Sequence, residues 1–180
     1  MSTKRWFALV AASTMLSTTA AQAAGPTVTT GVGTIQGLAT AAAQEYLGIP
    51  YAKPPFGALR WKAPQPTSWT GVLSATALPS ACPQLASDFG TASGNEDCLY
   101  LNVYTPPSGG KNLPVILWIH GGSDETGTGG QYDGTALVQD NVVVVTINYR
   151  LGFLGFLTHP ALDTESPFGA SGDYGLMDQQ

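Results

Sequence analysis

Positive charge is scarce in this sequence. Seven Lys and Arg stand against twelve Asp and Glu, for a formal net charge of −5, and two of the seven, Lys4 and Arg5, sit at the extreme N-terminus. Phosphate backbones are bound by clustered Lys and Arg, so no nucleic-acid partner is expected. Charge of either sign is thin, at 11% of residues, while 43% are hydrophobic, and a disordered chain is not built this way. Histidine is rarer still, with only His120 and His159. Long apolar runs are missing too: Trp6 to Leu16 spans eleven residues, interrupted by Ser13 and Thr14. A membrane-spanning helix needs roughly 20. What the chain has in quantity is punctuation, 22 Gly and 13 Pro in 180 residues.

The N-terminal run has the layout of a secretory signal. Lys4 and Arg5 supply a positive start, the apolar stretch follows, and Ala21-Gln22-Ala23 is a small-x-small cleavage pattern. We therefore expect a signal peptide over 1–23, a single domain portion over 24–180, and a secreted or periplasmic protein with no membrane span after cleavage. Two cysteines remain, Cys82 and Cys98. In an oxidising compartment an isolated pair most simply forms a disulfide, whose loop of about 15 residues stabilises by roughly 3 kcal/mol in the chain-entropy model. The competing use, a metal site, needs more ligands than lie nearby, and neither histidine has ligand spacing to the cysteines. No metal is expected.

Local patterns point to an α/β fold. Thr27 to Gly37 alternates β-branched residues with glycine, as short antiparallel strands around a turn do, and 43–52 (AQEYLGIPYA) resembles a further strand. From Lys53 to about Pro83 no period of 2.0 or 3.6 persists, which predicts an ordered but irregular surface layer. Leu99 to Thr105 alternates as a half-buried strand. Two later runs, Pro114 to Ile119 (PVILWI) and Val142 to Ile147 (VVVVTI), are nearly continuous β-formers, the mark of strands buried on both faces of a parallel sheet. Between them Tyr132 to Asp140 has the length of a short crossover helix, completing a βαβ-type unit. Asp173 is placed to cap a last helix that has barely begun at Gln180.

The most informative local motif is His120-Gly121-Gly122, directly after PVILWI. Two glycines at the C-terminal end of a strand let adjacent N–H groups face an open cleft without a Cβ in the way. Such a pair can hold a developing oxyanion, worth about 3–4 kcal/mol per donor in acyl transfer. A plain Gly-Gly turn is the alternative, since such pairs end many strands. His120 reads as a loop-fixing residue rather than a base.

Six blocks then occur in one order: 48–55 (GIPYAKPP), 60–61 (RW), 95–104 (NEDCLYLNVY), 117–122 (LWIHGG), 146–156 (TINYRLGFLGF) and 173–179 (DYGLMDQ). Together they resemble the type-B carboxylesterase family of cholinesterases and related lipases, from about residue 27 to the end. The resemblance implies the N-terminal part of an α/β-hydrolase fold, small antiparallel strands leading into a mostly parallel sheet. It implies hydrolysis of small-molecule carboxylic esters through a serine acyl-enzyme, with no cofactor. Gly121 and Gly122 match the oxyanion-hole glycines. Cys98 lies where relatives form their first disulfide, which makes Cys82 its partner. Arg60 and Glu96, and Arg150 and Asp178, match positions that pair as structural ion pairs in relatives; taken alone, each charge reads equally as a solvated surface group.

Two departures stand out. After His-Gly-Gly the family usually continues with a small residue, an aromatic and a short apolar stretch, whereas here Ser123-Asp124-Glu125-Thr126 follows. Two carboxylates beside an oxyanion site oppose both the oxyanion and the product acid unless they turn to solvent. No serine is flanked as in Gly-x-Ser-x-Gly; Ser171 comes nearest, with Gly169 before it but Asp173 where the second glycine belongs. The resemblance puts the nucleophile, acid and histidine of the triad downstream of Gln180, so this stretch alone is not expected to turn over esters. It also puts residues 114–119 between 142–147 and the nucleophile's strand. Alone, the stretch should have an open apolar edge and be insoluble or partly molten. Two other readings remain: a binding protein on the esterase scaffold, and a gene fragment without function.

Overall fold

The computed structural model describes residues 25–88 and 90–180. The signal-peptide reading of 1–23 lies outside the described residues. Strands β1 (Thr27–Thr30) and β2 (Gly33–Gln36) pair antiparallel around the turn at Gly31 and Val32, as the alternation of glycine with β-branched residues anticipates. Two more strands follow, β3 (Leu38–Ala39) and β4 (Gln44–Pro50). The irregular layer from Lys53 onward contributes one short strand, β5 (Val72–Ser74), which joins β2 in parallel.

The larger sheet has the order β3-β4-β6-β8-β7, where β6 is Tyr100–Thr105, β7 Val115–Ile119 and β8 Val143–Ile147. Pairing is antiparallel from β3 through β8, and β8 and β7 are parallel, in register from Val115–Val143 to Ile119–Ile147. This mixed sheet, with its parallel pair at one side, is the partial α/β fold. Three short helices close the chain: α1 (Gly152–Phe156), α2 (Pro160–Glu165) and α3 (Tyr174–Asp178).

Apolar residues gather in three places. Ile35, Tyr46, Ile49 and Ala75 pack the small sheet against the large one. Ala43, Leu47, Tyr104, Val138 and Val144 form a second group. The third surrounds the Cys82–Cys98 disulfide and adds Ala52, Leu99, Tyr149 and Leu151. Asn102 on β6 is buried between these layers, where its Oδ1 accepts from the Gly48 N–H at the β4 bulge and its amide donates to Thr146 Oγ1.

Three expectations need correction. The connection between β7 and β8 is not a helix over 132–140. It has only 3₁₀ turns at Gly129–Gln131 and Leu137–Asp140. Asp133 Oδ1 takes the Thr135 N–H into a local turn, and Gly134 lies so close to the Tyr104 ring that an added Cβ would sit 2.8 Å from it. That contact anchors the segment, and one turn suffices to bury Val138. Second, β7 is not buried on both faces within this stretch: its five residues are 37–64% exposed, because β8 flanks it on one side only, the open apolar edge expected above, and cover is limited to contacts such as Trp118 on the Tyr132 ring at 5.1 Å. Third, Asp173 stands at the N-cap of α3, but its side chain makes no capping hydrogen bond.

Candidate active site

The in-register parallel pairing of β7 with β8 decides what lies beside what. It ends at Ile119–Ile147, so His120-Gly121-Gly122 leaves β7 alongside Asn148-Tyr149-Arg150 leaving β8. The C-terminal ends of parallel strands are where α/β sheets place their sites. Past the ladder, neither the Gly121 nor the Gly122 amide donates a hydrogen bond among the described residues.

The two glycines differ in why they are glycine. Gly122 has φ 122°, and a Cβ there would sit 2.0 Å from the Thr126 carbonyl oxygen. Its own carbonyl accepts from the Glu125 and Thr126 N–H groups at 3.1 Å, closing a tight turn that only glycine fits. Gly121 is under no such constraint: its φ lies outside the left-handed region, and an added Cβ would meet nothing within 4 Å. The space in front of Gly121 is open.

His120 is buried, 3% exposed, and its ring stacks on Tyr149 at 4.5 Å between centroids. Nδ1 lies 2.9 Å from the Gly121 carbonyl oxygen. A carbonyl can only accept, so Nδ1 carries the proton. Nε2 is then an acceptor, and it has no partner among the described residues. Burial holds the His120 pKa below its usual value, against smaller opposing effects of the Gly121 carbonyl and the Asp124 charge. Its stacking on Tyr149 and its contact with the Gly121 carbonyl tie the ring into the loop. An unfolded histidine takes up a proton below about pH 6.5 that the folded ring refuses, so its contribution to stability is present above that pH and lost as pH falls. Urea midpoints should therefore drop between pH 7.5 and 5.0, and drop less in His120→Gln; equal drops would refute the assignment.

The loop beyond is tied down at several points. Ser123 and Asp124 both adopt left-handed backbone, φ 57° and 60°, and the Asp124 carbonyl accepts from the Gly152 N–H at 2.7 Å. The side chains of Asp124 and Glu125 are exposed; the Asp124 carboxylate comes within 3.5 Å of the Tyr149 hydroxyl. Gln84 pairs reciprocally with the Gly127 backbone, accepting from its N–H and donating to its carbonyl, both at 2.8 Å. Asn148, fully buried, accepts from Thr128 Oγ1 and the Gly129 N–H and donates to the Ser80 and Cys98 carbonyls. Through these two amides the disulfide loop braces the glycine-rich loop. Neither residue was singled out from sequence. The signal for Asn148 is a polar pair placed directly after an apolar strand.

The remaining sequence candidates fall into distinct settings. Arg150 and Asp178 form a buried bidentate pair, Nε to Oδ2 and Nη2 to Oδ1 at 2.7 Å, and the Arg150 N–H adds a third bond to Asp178. Arg60 and Glu96 form a bidentate pair that is only half buried. His159 and Ser171 do not make a catalytic pair. The His159 ring caps α2 by accepting the Ala161 N–H, and the Ser171 hydroxyl donates to Asp163. Among the described residues no three His, Cys, Asp or Glu side chains are grouped to hold a metal, and no helix is long and apolar enough to cross a membrane.

A cavity of about 1000 Å³ is lined by Val28, Ile35, Tyr46, Val103 and the turn at Gly109–Lys111. It lies at the start of β7, the end opposite Gly121, and although Ser108 lines it, no histidine or carboxylate does.

Comparison with known proteins agrees with the fold. The chain is 49% identical over 142 residues to the fumonisin B1 esterase of Sphingopyxis macrogoltabida, covering 75% of this chain and 26% of that protein. It is 39% identical over 177 residues to mouse neuroligin-2, covering 75% of this chain and 20% of the relative. A solved structure of a PNB esterase superimposes with a TM-score of 0.74 at 45% identity, over 85% of this chain and 32% of that one. The chain thus spans between a fifth and a third of the length of these relatives. The model of the carboxylesterase family matches residues 24–180, and the chain belongs to that family as an N-terminal part of it.

Proposed function

We propose that the protein to which this chain belongs hydrolyses small-molecule carboxylic esters by acyl transfer to a serine, and that the Gly121 and Gly122 N–H groups hold the oxyanion. The observation that carries this is Gly121. The fold does not require glycine there, its amide is unpaired among the described residues, and the space before it is open at the end of a parallel strand. A site that must admit a substrate oxygen needs the free donor and the open space. The attacking serine, its histidine and acid belong to sequence beyond Gln180, and acyl transfer by such a triad needs no metal or cofactor. Export by cleavage after Ala23 fits the family match beginning at residue 24.

The first test is to read the open reading frame past Gln180 for a Gly-x-Ser-x-Gly elbow. In the polypeptide that carries it, Gly121→Ala should leave the melting temperature within experimental error, because the added methyl meets nothing. Its kcat/KM on a nitrophenyl ester should fall about ten-fold or more, since the methyl stands where an oxygen must approach and the disturbed donor is worth about 10²–10³ in rate. Unchanged kcat/KM would count against the oxyanion assignment.

A second reading has one observation in its favour. The exposed carboxylates of Asp124 and Glu125 border the cradle, and a family relative, neuroligin-2, does not carry an esterase name. A binding protein on this scaffold would tolerate that charge. Cleavage of a short-chain ester by the elbow-bearing polypeptide rules it out.

A further inference from the structure

In a trans peptide unit the C=O and N–H point in opposite directions, so whatever holds the carbonyl also aims the amide. The unit between His120 and Gly121 presents the His120 carbonyl and the Gly121 N–H. Its carbonyl accepts a 2.8 Å hydrogen bond from the Tyr149 hydroxyl, which is buried. The next unit presents the Gly121 carbonyl and the Gly122 N–H, and its carbonyl faces His120 Nδ1 at 2.9 Å. The two donors are themselves stacked ring on ring, with planes 20° apart. Two side chains therefore draw two successive carbonyls inward, and the two amides must turn the other way.

We propose that Tyr149 is a positioning residue of the oxyanion cradle: its hydroxyl, bonded to the His120 carbonyl, aims the Gly121 N–H outward and polarises that peptide. The His120 ring does the same for the Gly122 N–H. This rests on the reading of Gly121 and Gly122 as oxyanion donors. The physical basis is twofold. A carbonyl held by one donor cannot rotate, which keeps the amide pre-aimed before charge develops. Hydrogen bonds in series also strengthen one another, so a peptide whose oxygen is already accepting is a better N–H donor.

The groups around the hydroxyl agree with a permanent donor. Burial, reinforced by the Asp124 charge, pushes the Tyr149 pKa up to about 12, so the proton stays on through the working range of an esterase. Asp124 Oδ1, at 3.5 Å, is a poorly placed competitor for it, beyond good hydrogen-bond length. The position of Tyr149 is itself fixed by the register, since two residues past Ile147 lies opposite two residues past Ile119.

The test compares two phenylalanine substitutions in the elbow-bearing polypeptide. Tyr149→Phe removes the hydroxyl and keeps the stacked ring. Tyr51→Phe removes a partly buried hydroxyl that donates at 2.8 Å to a different backbone carbonyl, that of Asn148. Both lose one hydrogen bond of the same kind, so their melting temperatures should fall alike. Only Tyr149→Phe should lower kcat, about ten-fold with KM within two-fold, and weaken a trifluoromethyl ketone inhibitor in parallel, because that inhibitor presents an oxyanion. Equal kcat in the two variants overturns the proposal. Should Tyr149→Phe fail to accumulate, 3-fluorotyrosine at 149 keeps the bond with a more acidic donor; kcat should rise, and an unchanged kcat overturns the proposal equally. Gly121→Ala separates the levels: if it leaves kcat intact, the cradle itself is wrong; if it lowers kcat while Tyr149→Phe does not, only the positioning role is lost.

Discussion

Arg150→Met should lower folding stability by about 3–5 kcal/mol, the usual result of removing one partner from a buried ion pair. Asp178 is buried and receives three hydrogen bonds from Arg150, two of them from the guanidinium, so truncation leaves a buried carboxylate with only the Arg150 backbone N–H. The guanidinium also donates to the Lys62 and Tyr174 carbonyls, tying the irregular layer to α3, and both bonds go with it. Burial already pushes the Asp178 carboxyl above its ordinary value even with Arg150 pulling it down. Without Arg150 the raised pKa rises further, and a carboxyl whose folded pKa exceeds its unfolded one loses stability as pH rises. The deficit of Arg150→Met should thus be smaller at pH 5 than at pH 8. Chemical denaturation at both pH values checks the sign. The double variant Arg150→Met/Asp178→Leu should recover most of the loss, because no charge is left buried. If the double variant is no more stable than the single, the pair is not the source of the effect.

The contrast with Arg60 and Glu96 shows what could be read in advance and what could not. Both pairs were reached through the resemblance, and residue types alone gave each of them the same standing. The structure separates them, with Arg150 2% and Arg60 38% exposed at the side chain. Burial is set by what packs over a position, here α3 over the end of β8, and the local sequence carries no signal for that.

Strands with a clear alternation, β1, β2 and β6, were legible because their pattern is a local property. The apolar runs β7 and β8 were legible as strands, and the open edge at β7 was legible only through the resemblance, which puts a further strand beside residues 114–119. Val143 to Ile147 is flanked by β6 and β7 and is mostly covered, whereas the equally apolar Val115 to Ile119 has a neighbour on one side only. The spurious helix over 132–140 arose because periodicity ignores Gly134, whose contact with the Tyr104 ring belongs to a strand some thirty residues earlier. The oxyanion glycines were visible as a motif, while the side chains that orient them come from the neighbouring strand and needed the register to be found.

Asn148 illustrates that last point and yields the second large effect. All four hydrogen-bonding capacities of its side chain are used: Oδ1 accepts from Thr128 Oγ1 and the Gly129 N–H at 2.9 and 2.8 Å, and Nδ2 donates to the Ser80 and Cys98 carbonyls at 3.0 and 3.2 Å. Asn148→Leu has nearly the same size, so it adds little cavity, but it leaves groups of three separate segments facing a side chain that cannot pair. Unsatisfied buried groups cost about 1–3 kcal/mol each and do not add fully, so a loss of about 3–4 kcal/mol is expected. Asn148→Asp looks gentler and should be no better at neutral pH. It keeps the two accepting contacts, but it turns a second oxygen toward the Ser80 and Cys98 carbonyls and buries a charge. Its carboxyl pKa is raised by that setting, so the variant should regain stability as pH falls toward 5, when the acid can donate one hydrogen bond again. Asn148→Leu has no such titration. Denaturation midpoints for the two variants at pH 5 and pH 8 distinguish them, and an Asp variant as stable at pH 8 as the parent would show that the two donated bonds do not hold the disulfide loop against the glycine-rich loop.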